Sequence, residues 1–274
     1  MDNNPLKQYF RRPAVYITLP SKGKGYSEDV IVFPENGELP VYPMTAIDEI
    51  TLRTPDSLFN GTAVADVIKS CIPNIKDPWR LNTSDLDAVL IGIRAAGGDS
   101  TLDVTTSCPS CKETNTYGVN LINVLSTLQM GDYETKLKLN DLSIKFKPMT
   151  YSEMNEAAIA NFEVQKSFAD IEKIQDDKQK IAATQAAIKS ITDITMQLIA
   201  KSIEHIQTPS SIVTDKNYIY DFLRNCDANM YEKIRDYNTN LKASTDLKPL
   251  NIQCAACNHE YLQPFTLNAS DFFG

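Results

Sequence analysis

Cys108-Pro109-Ser110-Cys111 and Cys254-Ala255-Ala256-Cys257 are the two stretches whose reading decides the fold. Each C-x-x-C arc aims two thiolates at one point, and two arcs complete a tetrahedron around a metal ion. The flanks repeat as well. Cys108, Cys111, Val119 and Leu121 have counterparts 146 residues on, at Cys254, Cys257, Phe265 and Leu267. Each copy reads as a polar approach, a C-x-x-C turn, a few polar residues and a returning strand. The expectation is two zinc-knuckle hairpins that share one structural Zn²⁺ held by Cys108, Cys111, Cys254 and Cys257, with everything between them inserted. A rubredoxin-like iron site would use the same ligands. Redox-active pairs or disulfides fit less well, because neither pair follows a strand at the N-terminus of a helix. His259, two residues past Cys257, is a further ligand candidate, set aside because four thiolates already fill the coordination sphere.

Working outward, the 274 residues carry 35 acidic and 27 basic side chains, a net charge of -8. Four metal-bound thiolates with one Zn²⁺ would make this about two units more negative. An acidic chain is a poor partner for a phosphate backbone, which asks for a basic face. No apolar run approaches the roughly 18 residues that span a bilayer, and the opening MDNNPLKQYFRR lacks the apolar middle of a signal peptide. Reduced cysteines and cytosolic residence are therefore expected. Cys71 and Cys226 read as small packed residues.

Before the first knuckle, residues 1–13 read as a mobile arm and 14–19 as a strand stopped by Pro20. The Ser21-Lys22-Gly23-Lys24-Gly25-Tyr26 loop lacks the P-loop spacing and leads into another strand, so it is not a phosphate cradle. Segments 30–33 and 39–42 suggest a short hairpin. Thr62 is placed as the cap of a helix with Val64, Val67, Ile68 and Cys71 inward. Thr83 or Ser84 is placed as the cap of the next helix, which carries Leu86, Val89, Leu90 and Ile93 and ends at Gly97-Gly98. Thr54-Pro55 looks like another helix start, and Trp79 like a core anchor.

Several short runs here resemble a known family: Leu19-Pro20-Ser21-Lys22-Gly23, Pro43-Met44-Thr45, Leu52-Arg53-Thr54-Pro55-Asp56, Asn60-Gly61, Ser70-Cys71-Ile72-Pro73-Asn74-Ile75, Asp77-Pro78-Trp79, Ile93-Arg94 and the first C-x-x-C. Together they are similar to the baseplate hub proteins of T4-like tailed bacteriophages, a group of hub subunits and hub assembly chaperones. The resemblance covers residues 14–125 and says little about 150–245. It implies a non-enzymatic role in building the centre of a contractile-tail baseplate, with other baseplate or hub proteins as partners. It implies residence in the host cytoplasm during assembly, with retention in the virion tail baseplate left open. No catalytic residue is carried over.

Past the first knuckle, 133–139 and 142–147 alternate about Asn140-Asp141 as a hairpin. Thr150 and Glu153 form a capping box. Apolar residues then recur near a 3.5 spacing from Val164 to Ile206, with His205 placed late on the helix. The polar patch 175–180 favours an αα-hairpin over one long helix, and its apolar stripe serves either self-packing or a protruding arm that grips a partner. Two more amphipathic helices are expected at 215–225 and 230–241, and the terminal Phe272-Phe273 pair either docks or inserts into a neighbour.

The fold class is thus α+β. An N-terminal arm and hairpin (1–44) precede a helical region (45–100). A split zinc-ribbon β platform (101–149 plus 246–274) then encloses a helical insertion (150–245). Two histidines and no G-x-S-x-G or H-E-x-x-H motif argue against an enzyme with a small-molecule substrate. A homo-oligomer fits this reading, and a zinc-ribbon nucleic-acid adaptor is the competing one. The knuckles offer the adaptor only Lys112, with no basic residue between Cys254 and Pro264.

Overall fold

The computed structural model describes residues 4–54, 60–98 and 100–267. It is a mixed helix-and-strand fold that separates into two compact units, one made of residues 1–130 and 245–274, the other of 131–244. The second unit is thus inserted into the sequence of the first. The expected Thr54-Pro55 helix start and the Phe272-Phe273 pair extend outside the described residues.

In the first unit, β1 (Val15–Ile17) pairs antiparallel with β2 (Leu39–Val41), Ile17 opposite Leu39. The hairpin expected between 30–33 and 39–42 does not form. Ile31 instead makes a single bridge to Ile75, and the Val32 N–H donates to Asn74 O. Pro34 and Pro40 remove donors that such a ladder would need, and Pro40 is tolerated opposite Tyr16.

Helices α1 (Ala46–Leu52), α2 (Thr62–Cys71), α3 (Thr83–Ala96) and, further on, the short α4 (Leu121–Thr127) follow. Thr45 and Asp48 form a capping box on α1. Two expected caps fall one or two residues early. Gly61, at φ 79°, opens α2 in place of Thr62, and Asn82 caps α3 in place of Thr83 or Ser84. Asn82 wins because its side chain reaches the Asp85 N–H while its own backbone stays extended. The inward residues of α3 (Leu86, Val89, Leu90 and Ile93) are buried as expected. Gly92 brings α3 against β1 so closely that a Cβ there would stand 2.9 Å from Ile17 Cγ2.

Two polar knots brace this unit. Asp85, fully buried, accepts from Ser21 N (2.9 Å), Tyr26 Oη (2.7 Å) and Asn82 Nδ2 (2.8 Å). Burial and the Asp85 charge hold the Tyr26 phenol well above its ordinary range. Arg11 donates to Pro43 O, to Asp48, and to the carbonyl and hydroxyl of Ser70. The expected mobile arm is therefore tied down at Arg11, and Pro5–Tyr9 forms a 3-10 turn capped by Asn4. Trp79 is half-buried in a second 3-10 turn, Pro78–Arg80, beside fully packed Leu81.

The second unit contains a four-stranded antiparallel sheet in the order β5 (Leu137–Leu139), β6 (Leu142–Phe146), β7 (Ile203–Gln207), β8 (Ile212–Val213). The β5–β6 turn lies at Asn140-Asp141, as read from the sequence, with Asn140 at φ 50°. Residues 137–139 and 142–146, grouped with the platform in the sequence reading, are strands of this sheet and lie in the second unit. The capping box of Thr150 and Glu153 starts α5 (Tyr151–Ile171), and Asp176 caps α6 (Asp177–Ser202), so the two helices form a hairpin.

The helical reading of 203–206 is corrected: the chain leaves α6 at Ser202, and His205 lies on β7 opposite Lys145. β-Branched Ile203 and Ile206 gain more by joining Ile144, Phe146, Ile219, Leu223 and Ile234 in the core than by extending a solvated helix. Helices α7 (Lys216–Asn225) and α8 (Ala228–Thr245) close over that core. On the α5–α6 hairpin Val164, Ile171, Ala187 and Ile199 are buried, whereas Ile181 (59%) and Ile188 (54%) stay exposed. Self-packing thus uses only part of its apolar surface.

Candidate metal centre

The first unit also holds two hairpins of matching design. β3 (Thr101–Ser107) pairs with β4 (Thr114–Asn120), closing with Ser107 opposite Thr114. β9 (Leu250–Gln253) pairs with β10 (Glu260–Gln263), closing with Gln253 opposite Glu260. The closing pairs are related by the same 146-residue shift as the cysteines.

The turns repeat in their hydrogen bonds. Cys108 N donates to Glu113 O and Cys254 N to His259 O, both at 2.9 Å. Lys112 N donates back to Cys108 O at 3.0 Å, and Asn258 N to Cys254 O at 2.9 Å. Each turn places the residue after its second cysteine in the left-handed region, Lys112 at φ 63° and Asn258 at φ 58°. The first cysteine of each pair is buried and the second exposed.

The turns face each other. The Sγ atoms of Cys108, Cys111, Cys254 and Cys257 all lie within 4.8 Å of one another. Cys108 and Cys257 are 3.7 Å apart, Cys111 and Cys254 3.6 Å. A disulfide needs about 2.05 Å, so these are open thiols. Four sulfurs bound tetrahedrally at about 2.3 Å from one ion stand about 3.8 Å apart. The donor set, its spacing and the two short closing distances fit a metal ion, which could bind here. Both closing contacts run from one hairpin to the other.

Backbone geometry prepares one sulfur for ionisation. The N–H of Cys257, followed by that of Ala256 and the neighbouring thiols, lowers Cys254 to about 7 against the cost of desolvation. The Glu113 N–H acts in the same sense on Cys111, but sharing protons with Cys257, Cys254 and Cys108, together with desolvation, raises that thiol to about 12. Without a cation Cys111 keeps its proton at neutral pH. A divalent ion resolves this by replacing the protons.

His259 stands outside the sulfur cluster. Its carbonyl serves the second turn, and its ring stacks on Tyr261 with centroids 6.2 Å apart. Cys71 is fully buried, its thiol pushed up to about 11 mainly by burial, and Cys226 is half-buried with its thiol also raised. Neither is a member of the four-sulfur group.

The sequence reading missed the side chains around the sulfurs. Asn115 Nδ2 lies 3.8 Å from Cys254 Sγ, and the buried hydroxyls of Tyr117 and Tyr261 lie close by. The signal was positional, since Asn115 is the second residue of β4, the strand leaving Cys111.

No helix among the described residues is long and apolar enough to cross a membrane. The family described as T4 bacteriophage base plate protein matches residues 16–274, and the chain belongs to that family. The match runs through both knuckles and the intervening unit, well beyond the residues that carried the initial resemblance. No curated protein and no solved structure matches the chain.

Proposed function

We propose that this base plate protein is a non-enzymatic hub subunit or hub assembly chaperone, which acts by presenting contact surfaces to other baseplate subunits. The family match over residues 16–274 carries the reading. It is supported by the exposed apolar residues of the α5–α6 hairpin, Phe162, Ile181 and Ile188, which suit a helical arm that grips a partner.

Within this reading, Cys108, Cys111, Cys254 and Cys257 hold a structural Zn²⁺. Four protein ligands leave no open position for a substrate or water, so the ion would supply cohesion rather than chemistry. It would join two segments separated by the whole second unit. The protein would work in the host cytoplasm during assembly, and as a hub subunit it would remain in the tail.

The test is affinity capture of the tagged chain from infected cells, with a parallel search for it in purified virions. Co-purification with central baseplate proteins is the expected result. Presence in virions identifies a hub subunit, and absence identifies an assembly chaperone. Failure to capture any tail protein would overturn the proposal.

A further inference from the structure

Asn115 lies on β4, four residues beyond Cys111, yet its side-chain nitrogen approaches a sulfur of the opposite knuckle, Cys254 Sγ, at 3.8 Å. The repeat does not reproduce this contact. The position 146 residues on is Tyr261, which has no amide to offer. Cys108 and Cys254 are equally buried and equivalent by the repeat, so they differ in one informative respect. Among the described residues only Cys254 is addressed by a carboxamide from the facing hairpin.

An N–H aimed at a metal-bound thiolate withdraws electron density from sulfur and fixes the sulfur's direction. Such outer partners typically change metal affinity by 10–100-fold when removed. We propose that Asn115 is a positioning residue of the metal centre, holding the Cys254 sulfur in its ligating orientation and making it less reactive than its repeat partner Cys108. This rests on the four-cysteine metal reading above. It makes the first hairpin contribute three groups to the site: two ligands and the donor that steadies a ligand of the second.

The experiment uses the full chain and the variants Asn115→Asp, Asn115→Leu and Asn115→Gln, each loaded with zinc and checked by elemental analysis. Alkylation by N-ethylmaleimide is followed at each cysteine by mass spectrometry, and zinc transfer to a chromophoric chelator is timed. Cobalt-loaded samples give the thiolate-to-metal charge-transfer band.

Asp and Leu, which lack the donor, should raise the Cys254 rate relative to Cys108 about tenfold and speed zinc transfer about 10–100-fold. They should also move the charge-transfer band to lower energy. Gln, which keeps an amide, should restore much of all three. If Asp and Leu emerge without metal while Gln retains it, the same conclusion follows. An unchanged Cys254-to-Cys108 ratio in metal-loaded variants would overturn the role of Asn115 alone. So would loss of metal from all three variants with helicity intact. A wild-type chain that binds no metal would instead overturn the metal centre, and this proposal with it.

Discussion

Thr106 on β3 donates its hydroxyl to Gln263 Oε1 on β10 at 2.6 Å, joining residues 157 positions apart in the chain. Together with the sulfur cluster, this bond ties the late hairpin to the early one. The hydroxyl contributes about 1 kcal/mol, whereas the proposed structural zinc would contribute on the order of 10 kcal/mol. Chelation should therefore release β9–β10, and Thr106→Val should not. Hydrogen exchange across 250–263 checks both, with protection falling sharply after chelation and only slightly in the variant. Retention of full protection after metal removal would show that the hairpin is held by packing.

Metal removal should also act on one unit only. All four cysteines belong to the first unit, and the second has its own core around Ile144, Phe146, Ile219 and Ile234. Calorimetry should show one transition moving down by many degrees on chelation and another staying within a degree or two. A single transition that shifts as a whole would contradict this.

Lys112 and Asn258 occupy matched left-handed positions, where a Cβ is a steric cost. Glycine at either site should stabilise the holo protein by about 0.5–1 kcal/mol, provided the gain in turn geometry exceeds the added freedom of the unfolded chain. Valine at position 112 should destabilise by about 1–2 kcal/mol, because β-branched residues tolerate this region worst. Thermal melts at saturating zinc read both changes, and Asn258→Gly should have the smaller effect, since asparagine already tolerates the region.

Asp87 on α3 is pushed up to about 7 by burial and, second, by the nearby Asp246 charge. The folded state therefore holds this proton at pH values where the unfolded chain, near 3.8, has released it. Stability from this group is fully present below about pH 4 and falls as pH rises through 7. Asp87→Asn should flatten that part of the profile and raise the melting temperature of the first unit at pH 8 by a few degrees. An unchanged profile between pH 5 and 8 would count against a raised Asp87.

Gly92 has no room for a side chain. A Cβ would meet Ile17 Cγ2 at 2.9 Å and Cδ1 at 3.2 Å, both on a side chain that is itself fully buried. Gly92→Val should cost about 1–3 kcal/mol despite improved helix propensity, measured by urea unfolding. Gly92→Val with Ile17→Val should recover part of that loss, as expected for residues in contact.

Much of this was legible because it is local. The C-x-x-C pairs, the Asn140-Asp141 turn, the Thr150–Glu153 capping box and the break between α5 and α6 each depend on a few adjacent residues. What escaped depends on distant partners. Nothing near Ile203 announces a strand, because the decision is made by β6 and by the core beneath it. Arg11 looks like part of a polar arm until Asp48 and Ser70 are brought beside it. Segment 30–33 has strand-like composition, but the prolines at 34 and 40 send its pairing to Asn74 and Ile75. In the sulfur cluster, the cysteines are readable from spacing, whereas Asn115 is not, since its importance lies in what the opposite hairpin presents to it.

The split first unit also sets a schedule. A ribosome delivers Cys108 and Cys111 early, then the entire second unit, and only afterwards Cys254 and Cys257. During translation the inserted unit can collapse on its own core while the first C-x-x-C turn holds only half of the proposed metal's ligands. Completion is therefore a late event, withheld until nearly all of this chain has emerged. A nonsense mutation before position 254 would leave the inserted unit free to fold while the enclosing one stays open.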